Sequence, residues 1–247
     1  LTDVELRTPD DPNAAPENAD WVAWIEANHQ PVRSLTAEDY SDLTFFAPLL
    51  ADKRVVQLGE SGHGVREFSQ MKVRVIKYLH EELGFDVLAI ESSLYECFVA
   101  DRKVGNEAAQ TVLDRCAFSV WRTSAVLELF EYIESTRATE RPLRLVGMDT
   151  QVSSTMGVAG RPTFFHDVVA QFDEASADTV AAIDTNFIEN HRRTAAGQHL
   201  DLRGNREWLS PAYDRLAGFL ENQLPALAAI GDEAYREGLV GAQTARS

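Results

Sequence analysis

Three acidic residues and one histidine follow three short apolar segments of the chain. Glu60 and His63 lie in the segment GESGHG, directly after the apolar run RVVQLG. Glu91 ends the run FDVLAIE, and Asp149 follows the run RLVGM. Side chains at the carboxyl ends of parallel strands gather at one rim of an α/β sheet, where the active sites of such folds lie. If the three runs are parallel strands, they place three carboxylates and an imidazole at one rim.

This set of side chains suits general base catalysis. An imidazole takes a proton from water near neutral pH, and a carboxylate bonded to its other ring nitrogen fixes the tautomer and stabilises the imidazolium. Glu60 or Glu91 can serve as that carboxylate for His63. The flanking glycines leave room for a substrate, and the helix predicted to follow offers free N–H groups to an oxyanion. The alternative is a structural role, in which the His63 ring bonds the backbone of the turn.

Three other chemistries compete for the same segment. A serine nucleophile at Ser61 needs the pattern G-x-S-x-G, but His63 occupies the position of the second glycine. Glu60 and His63 have the E-x-x-H spacing of a metal site, yet the glycines break the helical turn that would bring two such ligands together. A mixed Glu/His/Asp metal site is therefore the less favoured alternative. The order G-x-x-G-x-G fits neither the dinucleotide fingerprint nor a G-K-[ST] loop, which excludes a phosphate-binding loop.

Alternating apolar runs and helical patterns predict how these residues are positioned. The strand RVVQLG, an amphipathic helix that ends at Gly84 and the strand FDVLAIE form a βαβ unit. A helix over 124–136 precedes the third strand, and the pattern after residue 160 is helical throughout. A further short helix is predicted after Thr36. The sequence thus predicts an α/β fold, with a parallel sheet and flanking helices, plus an α-helical part.

We predict three regions along the chain. They are a loose, Pro-rich lead-in over 1–19, the α/β part with the catalytic rim over 20–155, and the helical part over 156–247. Parallel sheets normally have helices on both faces and three strands are few, so we expect more strands outside these residues. The N-terminus lacks the basic and apolar regions of a signal peptide. Both ends look cut, which favours the front portion of a longer fold.

The composition excludes several classes of partner. The chain has 23 Lys and Arg residues against 39 Asp and Glu, a formal net charge of −16, whereas nucleic acids and anionic membranes require basic patches. No apolar run reaches the roughly 20 residues that span a bilayer. Cys97 and Cys116 form no C-x-x-C motif, which indicates free thiols and a reducing, cytoplasmic compartment. We therefore expect a small-molecule substrate, and neither nucleic acid nor membrane as a partner.

The positions of one lysine and four further histidines can also be predicted. Lys72 lies near the apolar face of the helix after His63, where it can reach the rim and hold an anion or a carbonyl. The alternative is a surface position in which only its ammonium group meets water. We predict surface positions for four other histidines, namely His80, His166, His191 and His199.

The segment VVQLGESGHGVREFSQMKVRVIKYLHEELGFDVLAIES resembles the signature segment of the erythromycin esterase family. That pattern comprises an apolar strand, G-E-x-x-H-G, an E-F pair, a basic amphipathic helix, G-F and a strand that ends in Glu. WRTSAVLELFEYI and LRLVGMDTQ resemble two later blocks of the family, W-R-x-x-x-V and G-[MF]-D-x-Q. The resemblance covers residues from about 35 to 155.

The resemblance implies hydrolysis of a macrolide lactone or a related carboxylic ester without a metal or another cofactor, as in macrolide antibiotic inactivation. His63 would be the general base for water, and Glu60 and Glu91 would orient it or balance its charge. The substrate-binding or supporting residues that the resemblance implies are Glu67, Lys72, Trp121 and Asp149. Two alternatives stay open: a relative associated with polysaccharide (succinoglycan) biosynthesis, and a non-catalytic or haem- or metal-binding module on the same fold.

Members of that family also carry a later strand with an H-N-x-H-like block, which supplies a further active-site histidine. Nothing like this block occurs in the 247 residues. The resemblance therefore implies a chain that holds most of the catalytic rim and lacks one strand and one histidine.

Overall fold

The structure is a computed structural model that describes residues 16–198 and 203–246. This part of the chain forms eleven α-helices, one 3-10 turn and one two-stranded sheet. The helices are α1 (Pro16–Asn28), α2 (Phe46–Leu50), α3 (Arg66–Glu81), α4 (Leu94–Asp101), α5 (Ala109–Cys116), α6 (Ser124–Thr136), α7 (Thr155–Val158), α8 (Arg161–Ala170), α9 (Glu174–Ala195), α10 (Arg203–Ile230) and α11 (Asp232–Arg246). The strands are β1 (Val87–Ser93) and β2 (Arg144–Asp149), and the 3-10 turn spans Ser119–Trp121. The chain divides into two compact units, Leu1–Val56 and Gln57–Ser247.

The unit Leu1–Val56 contains α1, α2 and the turns between them. The short helix predicted after Thr36 is wrong, because the acidic residues of that segment bond a preceding arginine instead of capping a helix. Asp42 accepts the backbone N–H of Arg33 at 2.7 Å, and Asp39 accepts its guanidinium at 2.9 Å. Asp39 also accepts the backbone N–H of Ser41 at 3.1 Å, a local bond that competes with helix formation.

The unit Gln57–Ser247 contains the sheet. Strands β1 and β2 pair in parallel, with Val87 opposite Arg144 and Ile90 opposite Gly147. This confirms two of the three predicted strands and the predicted fold class, a parallel sheet with flanking helices plus an α-helical part. The first predicted strand, RVVQLG, is wrong: residues 54–59 form no strand. The segment has no ladder partner among the described residues, and Val55 is 76% exposed.

The core beside the sheet lies between one sheet face and four helices. Leu88 and Ile90 of β1 and Leu145 of β2 pack with α4, α5 and α6 and with Val73 of α3. Helices α3 and α6 follow the predicted patterns closely. Helix α3 is followed by Gly84, whose φ of +80° is the left-handed conformation that glycine provides after a helix.

The helical part has a second core, formed by α8, α9, α10 and α11. Its centre includes Phe165 and Leu220, which are fully buried. Arg161 donates to Asp184 at 2.7 Å, and this buried ion pair joins α8 to α9. The Tyr213 hydroxyl donates to the same carboxylate from α10. Within residues 16–198 and 203–246, no helix combines the length and apolar character that crossing a membrane requires.

His80 is buried, so the surface position predicted for it is wrong. Its Nδ1 lies 2.6 Å from the Tyr132 hydroxyl and its Nε2 lies 2.9 Å from the Arg141 carbonyl oxygen. Because a carbonyl only accepts, Nε2 carries the hydrogen and Nδ1 accepts from the tyrosine. His166 and His191 are half-buried, and His199 lies outside the described residues.

We expect His80→Ala to lower the free energy of unfolding by about 2 kcal/mol, because it removes two buried hydrogen bonds and leaves a cavity. Urea unfolding at neutral pH measures the change. His29→Ala is the control, since His29 is exposed, and its effect should stay within about 0.5 kcal/mol. Equal stability of the two variants would contradict a bridging role for His80.

Candidate active site

Glu60 and His63 lie on the loop that leads into α3. Gly64 has a φ of +77°, which disfavours residues with a Cβ, and this turn precedes the first helical residue, Arg66. The loop brings Nδ1 of His63 to 2.6 Å from Oε1 of Glu60. Since a carboxylate only accepts, Nδ1 donates and Nε2 is left as an acceptor. The His63 side chain is 56% exposed, so Nε2 can meet a water molecule and a substrate.

Lys72 extends from α3 to the second oxygen of the same carboxylate. Its Nζ lies 2.6 Å from Oε2 of Glu60, and the Glu60 side chain is only 11% exposed. Burial raises the pKa of Glu60, but the hydrogen bonds from Lys72 and His63 outweigh it and hold that pKa below its ordinary value. Glu60 is therefore ionised at neutral pH and can stabilise a protonated imidazole.

Trp121 completes this group of side chains. Its indole meets the imidazole of His63 edge-on, with ring centroids 5.2 Å apart and an interplanar angle of 83°. Nζ of Lys72 lies 5.0 Å from the indole centroid, a cation–π distance. The next residue, Arg122, donates to the Ala117 carbonyl at 3.1 Å, which anchors the turn that carries the indole. We call Glu60, His63, Lys72 and Trp121 the histidine cluster.

Glu91 and Asp149 lie at the carboxyl end of the sheet. Glu91 is exposed and Asp149 is half-buried, and Asp149 accepts the backbone N–H of Gln151 at 2.8 Å. Ser93 of β1 stands opposite Asp149 in the parallel register. The sheet therefore brings the ends of its two strands, and the carboxylates near them, to the same edge.

A bulge in β1 determines where Glu91 lies. Two residues of β1, Glu91 and Ser92, oppose a single residue of β2 between the pairs Ile90–Gly147 and Ser93–Asp149. Bulges of this kind redirect side chains and are common beside active sites. A Cβ on Gly147 would lie 2.2 Å from the Ser93 carbonyl oxygen, so the bulge requires glycine at this position.

The structure brings four of the predicted site residues into direct contact as the histidine cluster. In the part of the chain that the structure describes, Glu67, Glu91 and Asp149 make no side-chain hydrogen bond or ion pair to that cluster. Glu67 is exposed in the first turn of α3. RVVQLG forms no strand, so Glu60 and His63 do not follow a strand end as predicted. A loop, helix α3 and the 3-10 turn carry the four residues of the cluster. Within residues 16–198 and 203–246, no group of three or more His, Cys, Asp or Glu side chains is arranged to hold a metal ion.

Sequence reasoning did not single out Gly147 or Glu96. Gly147 is required because the backbone of β1 lies close to it. This contact becomes visible only when the two strands are seen paired. Glu96 is a fully buried carboxylate in α4, and an acidic residue within the apolar stretch LYECFV was the available signal. Its partners lie more than fifty residues away in sequence, on the segment after β2.

Residues 80–246 match the sequence model described as erythromycin esterase. The chain belongs to the erythromycin esterase family. The matched residues include Trp121 and both carboxylates at the sheet end. They begin at residue 80, near the end of α3, so the other three members of the histidine cluster lie outside the match.

Two curated relatives illustrate the relationship. The Bacillus subtilis protein named "Putative hydrolase YbfO" is 41% identical over 138 residues, which are 56% of this chain and 31% of that protein. Erythromycin esterase type II from Escherichia coli is 23% identical over 128 residues, which are 51% of this chain and 30% of that esterase. The chain thus spans about a third of the length of these relatives.

Solved structures show the same fold. A Bacillus cereus protein superposes with a TM-score of 0.70 at 20% identity, over 92% of this chain and 56% of its own. A variant of the erythromycin esterase EreC in its open conformation gives a TM-score of 0.59 at 17% identity, over 84% of this chain and 52% of its own. The fold of this esterase family therefore extends over most of the chain, which spans about half of each of these structures.

The acid dependence of stability should report on Glu60. Its pKa in the folded chain lies below the ordinary 4.5, so below pH 4.5 the unfolded chain binds more protons than the folded one. The stability that Glu60 contributes is fully present above that pH and is lost as the pH falls through the lower, folded-state pKa. We expect Glu60→Gln to be less stable than the wild type at neutral pH and to approach it on acidification.

Urea unfolding of both proteins, from neutral pH downward, measures this convergence. Glu67→Gln is the matched control, because Glu67 is an exposed carboxylate on the adjoining helix and should cost little stability at neutral pH. A stability difference for Glu60→Gln that stays constant through the acidic range would contradict the pairing of Glu60 with Lys72.

Proposed function

We propose that this protein hydrolyses a carboxylic ester or a lactone with a water molecule that His63 activates. One observation carries the proposal: Nδ1 of His63 donates to a largely buried carboxylate at 2.6 Å while the imidazole stays accessible. This arrangement leaves Nε2 free to take a proton and provides a fixed negative charge for the imidazolium that results. Membership of an esterase family supports the same class of reaction.

The reaction follows from these positions. Nε2 of His63 takes a proton from water as the water oxygen bonds to the carbonyl carbon, and the carbonyl electron pair moves to the oxygen. The tetrahedral intermediate then expels the alcohol oxygen by breaking the carbon–oxygen bond. The imidazolium returns its proton to that oxygen, which leaves a carboxylic acid and an alcohol. Glu60 keeps its charge throughout and orients the ring.

Helix α3 supplies positive potential for the oxyanion from two sources. Lys72 is one source, although its bond to Glu60 ties up part of its charge. The backbone N–H groups in the first turn of α3 are the other, because they have no intrahelical acceptor. Glu91 and Asp149 would accept hydrogen bonds from substrate hydroxyls at the end of the sheet.

A macrolide lactone is the substrate class that we favour. Two of the curated relatives are named as erythromycin esterases, and a macrolide offers both an ester bond and several hydroxyl groups. A second candidate is an ester on a polysaccharide, because a structure named as a succinoglycan biosynthesis protein superposes with a TM-score of 0.64 over 92% of this chain, at 18% identity.

The test is a panel of erythromycin, simple aryl esters and acylated oligosaccharides, each followed by mass spectrometry for the addition of one water. We expect turnover of at least one ester, unchanged by a metal chelator and by a serine-directed inhibitor. Loss of turnover on chelation would favour a metal-dependent reaction, and inactivation by the serine reagent would favour Ser61. A folded protein that opens no ester in the panel would contradict the proposal.

A further inference from the structure

Glu96 is a fully buried carboxylate outside the histidine cluster. Its Oε2 accepts the backbone N–H and the hydroxyl of Ser153, each at 2.7 Å, and its Oε1 accepts the backbone N–H of Ser154 at 2.7 Å. All three donors lie in the segment 149–154, which begins with Asp149 at the end of β2. One side chain of α4 therefore fixes the backbone that follows the second strand.

The same segment is tied to the end of β1. Ser93 and Glu96 have the S-x-x-E spacing of a capping box, in which the glutamate would accept the backbone N–H of the cap residue. Here the N–H of Ser93 donates to Oγ of Ser153 at 3.1 Å instead. The Glu96 carboxylate is thereby left for the segment after β2, and Ser153 bridges the ends of both strands.

Close packing leaves little freedom around this carboxylate. A Cβ on Gly157 in α7 would lie 2.0 Å from the Arg115 carbonyl oxygen and 2.8 Å from Cγ of Glu96. The hydroxyl of Ser154 donates to the Asp114 carbonyl at 2.6 Å and caps α7. The segment 149–154 is thus held between α4 and the end of α5.

Stability alone does not account for an ionisable group at this position. The other two buried carboxylates of the described chain, Asp101 and Asp184, each pair with arginine. Glu96 has only serine donors, and burial raises its pKa above the ordinary 4.5 despite the hydrogen bonds from Ser153 and Ser154. Arg161 is close enough to interact electrostatically with Glu96, but its guanidinium donates to Asp184. A buried carboxylate whose hydrogen bonds all go to the segment after β2, and none to an arginine, indicates a role in placing that segment.

We propose that Glu96 is a positioning residue of the active site, whose carboxylate holds the segment 149–154 against the end of β1 and so sets the places of Glu91 and Asp149. Glu91 precedes Ser93 by two residues, and Asp149 pairs with Ser93 in the sheet. One set of hydrogen bonds thus determines the spacing of both carboxylates. The kinetic part of this inference rests on the proposed hydrolase function, whereas its structural part does not.

The first test compares Glu96→Gln with Asp184→Asn. A glutamine amide turns one acceptor oxygen into a donor, so it cannot accept from all three serine groups. Asp184→Asn removes a buried carboxylate from the helical part and controls for a general loss of stability. Hydrogen exchange with mass spectrometry, at a temperature where both variants are folded, should show amides of 149–154 exchanging at least about tenfold faster in Glu96→Gln only. Equal exchange rates in the two variants would overturn the proposal.

The second test is a double-mutant cycle with Asp149→Asn, measured on an ester that the wild type hydrolyses. Misplaced site groups should lower kcat about ten- to a hundredfold in Glu96→Gln. If Glu96 acts through Asp149, adding Glu96→Gln to the Asp149→Asn variant should lower kcat by less than about threefold. Fully additive losses would assign Glu96 a merely structural role and overturn the inference. Absence of turnover in the wild type would contradict the proposed function alone, and hydrogen exchange would then decide the inference.

Discussion

His63→Asn is expected to lower kcat for ester hydrolysis by about a hundred- to ten-thousandfold, the usual contribution of a general base. Asparagine is polar and can still donate a hydrogen bond to Glu60, so the loop should keep its conformation. It cannot take a proton from water, however, which is the step that Nε2 performs. Steady-state kinetics on the best ester of the panel measures the loss, and KM should change far less than kcat.

His166→Asn is the matched control for this variant. His166 also bonds an adjacent carboxylate, since its Nδ1 lies 3.1 Å from Asp167, but it lies on α8, outside the histidine cluster. Its replacement should leave kcat unchanged. A wild-type rate in His63→Asn would remove His63 from the mechanism and transfer attention to Ser61 or a metal ion, which the inhibitor and chelator arms of the panel distinguish.

Local sequence patterns predicted the helices well because helices are held by local interactions. The apolar stripe over 124–136 coincides with α6, and Thr123 caps it by accepting the backbone N–H of Val126. Gly84 marks the end of α3 for an equally local reason. The segment RVVQLG shows the limit, because a strand exists only where another strand supplies its hydrogen bonds. An apolar run six residues long carries no information about that partner.

The candidate site divides in the same way. Glu60 and His63 are three residues apart on one turn, and Lys72 lies on the helix that follows this turn. Sequence reasoning could therefore place the three together. Trp121 entered the prediction only through the family resemblance, as a supporting residue, and its contact with the imidazole was not predicted. His80 and Glu96 are polar residues buried by partners more than fifty residues distant. The apolar stretch around Glu96 hints at its burial, but no local pattern identifies the distant partners of either residue.

Gly147→Ala is expected to lower the free energy of unfolding by about 3 kcal/mol or more, at the upper end of overpacking effects. The added Cβ would lie 2.2 Å from the Ser93 carbonyl oxygen and 2.6 Å from that of Ser92. Both neighbours are backbone atoms of β1, so relief requires the strands to separate and the bulge with Glu91 to move. Urea unfolding measures the stability, and kcat should fall as well because Glu91 and Asp149 lose their register.

Gly218→Ala is the control, and its expected effect has the opposite sign. Gly218 lies inside α10, and a Cβ there would meet nothing within 4 Å, so alanine should stabilise the helix by up to about 1 kcal/mol. A glycine-to-alanine change thus stabilises where space is open and destabilises where two strands approach. If Gly147→Ala were instead as stable as the wild type, the backbone of the β1 bulge could not lie as close to residue 147 as the pairing of β1 and β2 requires. The positions of Glu91 and Asp149, and with them the role assigned to Glu96, would then have to be revised.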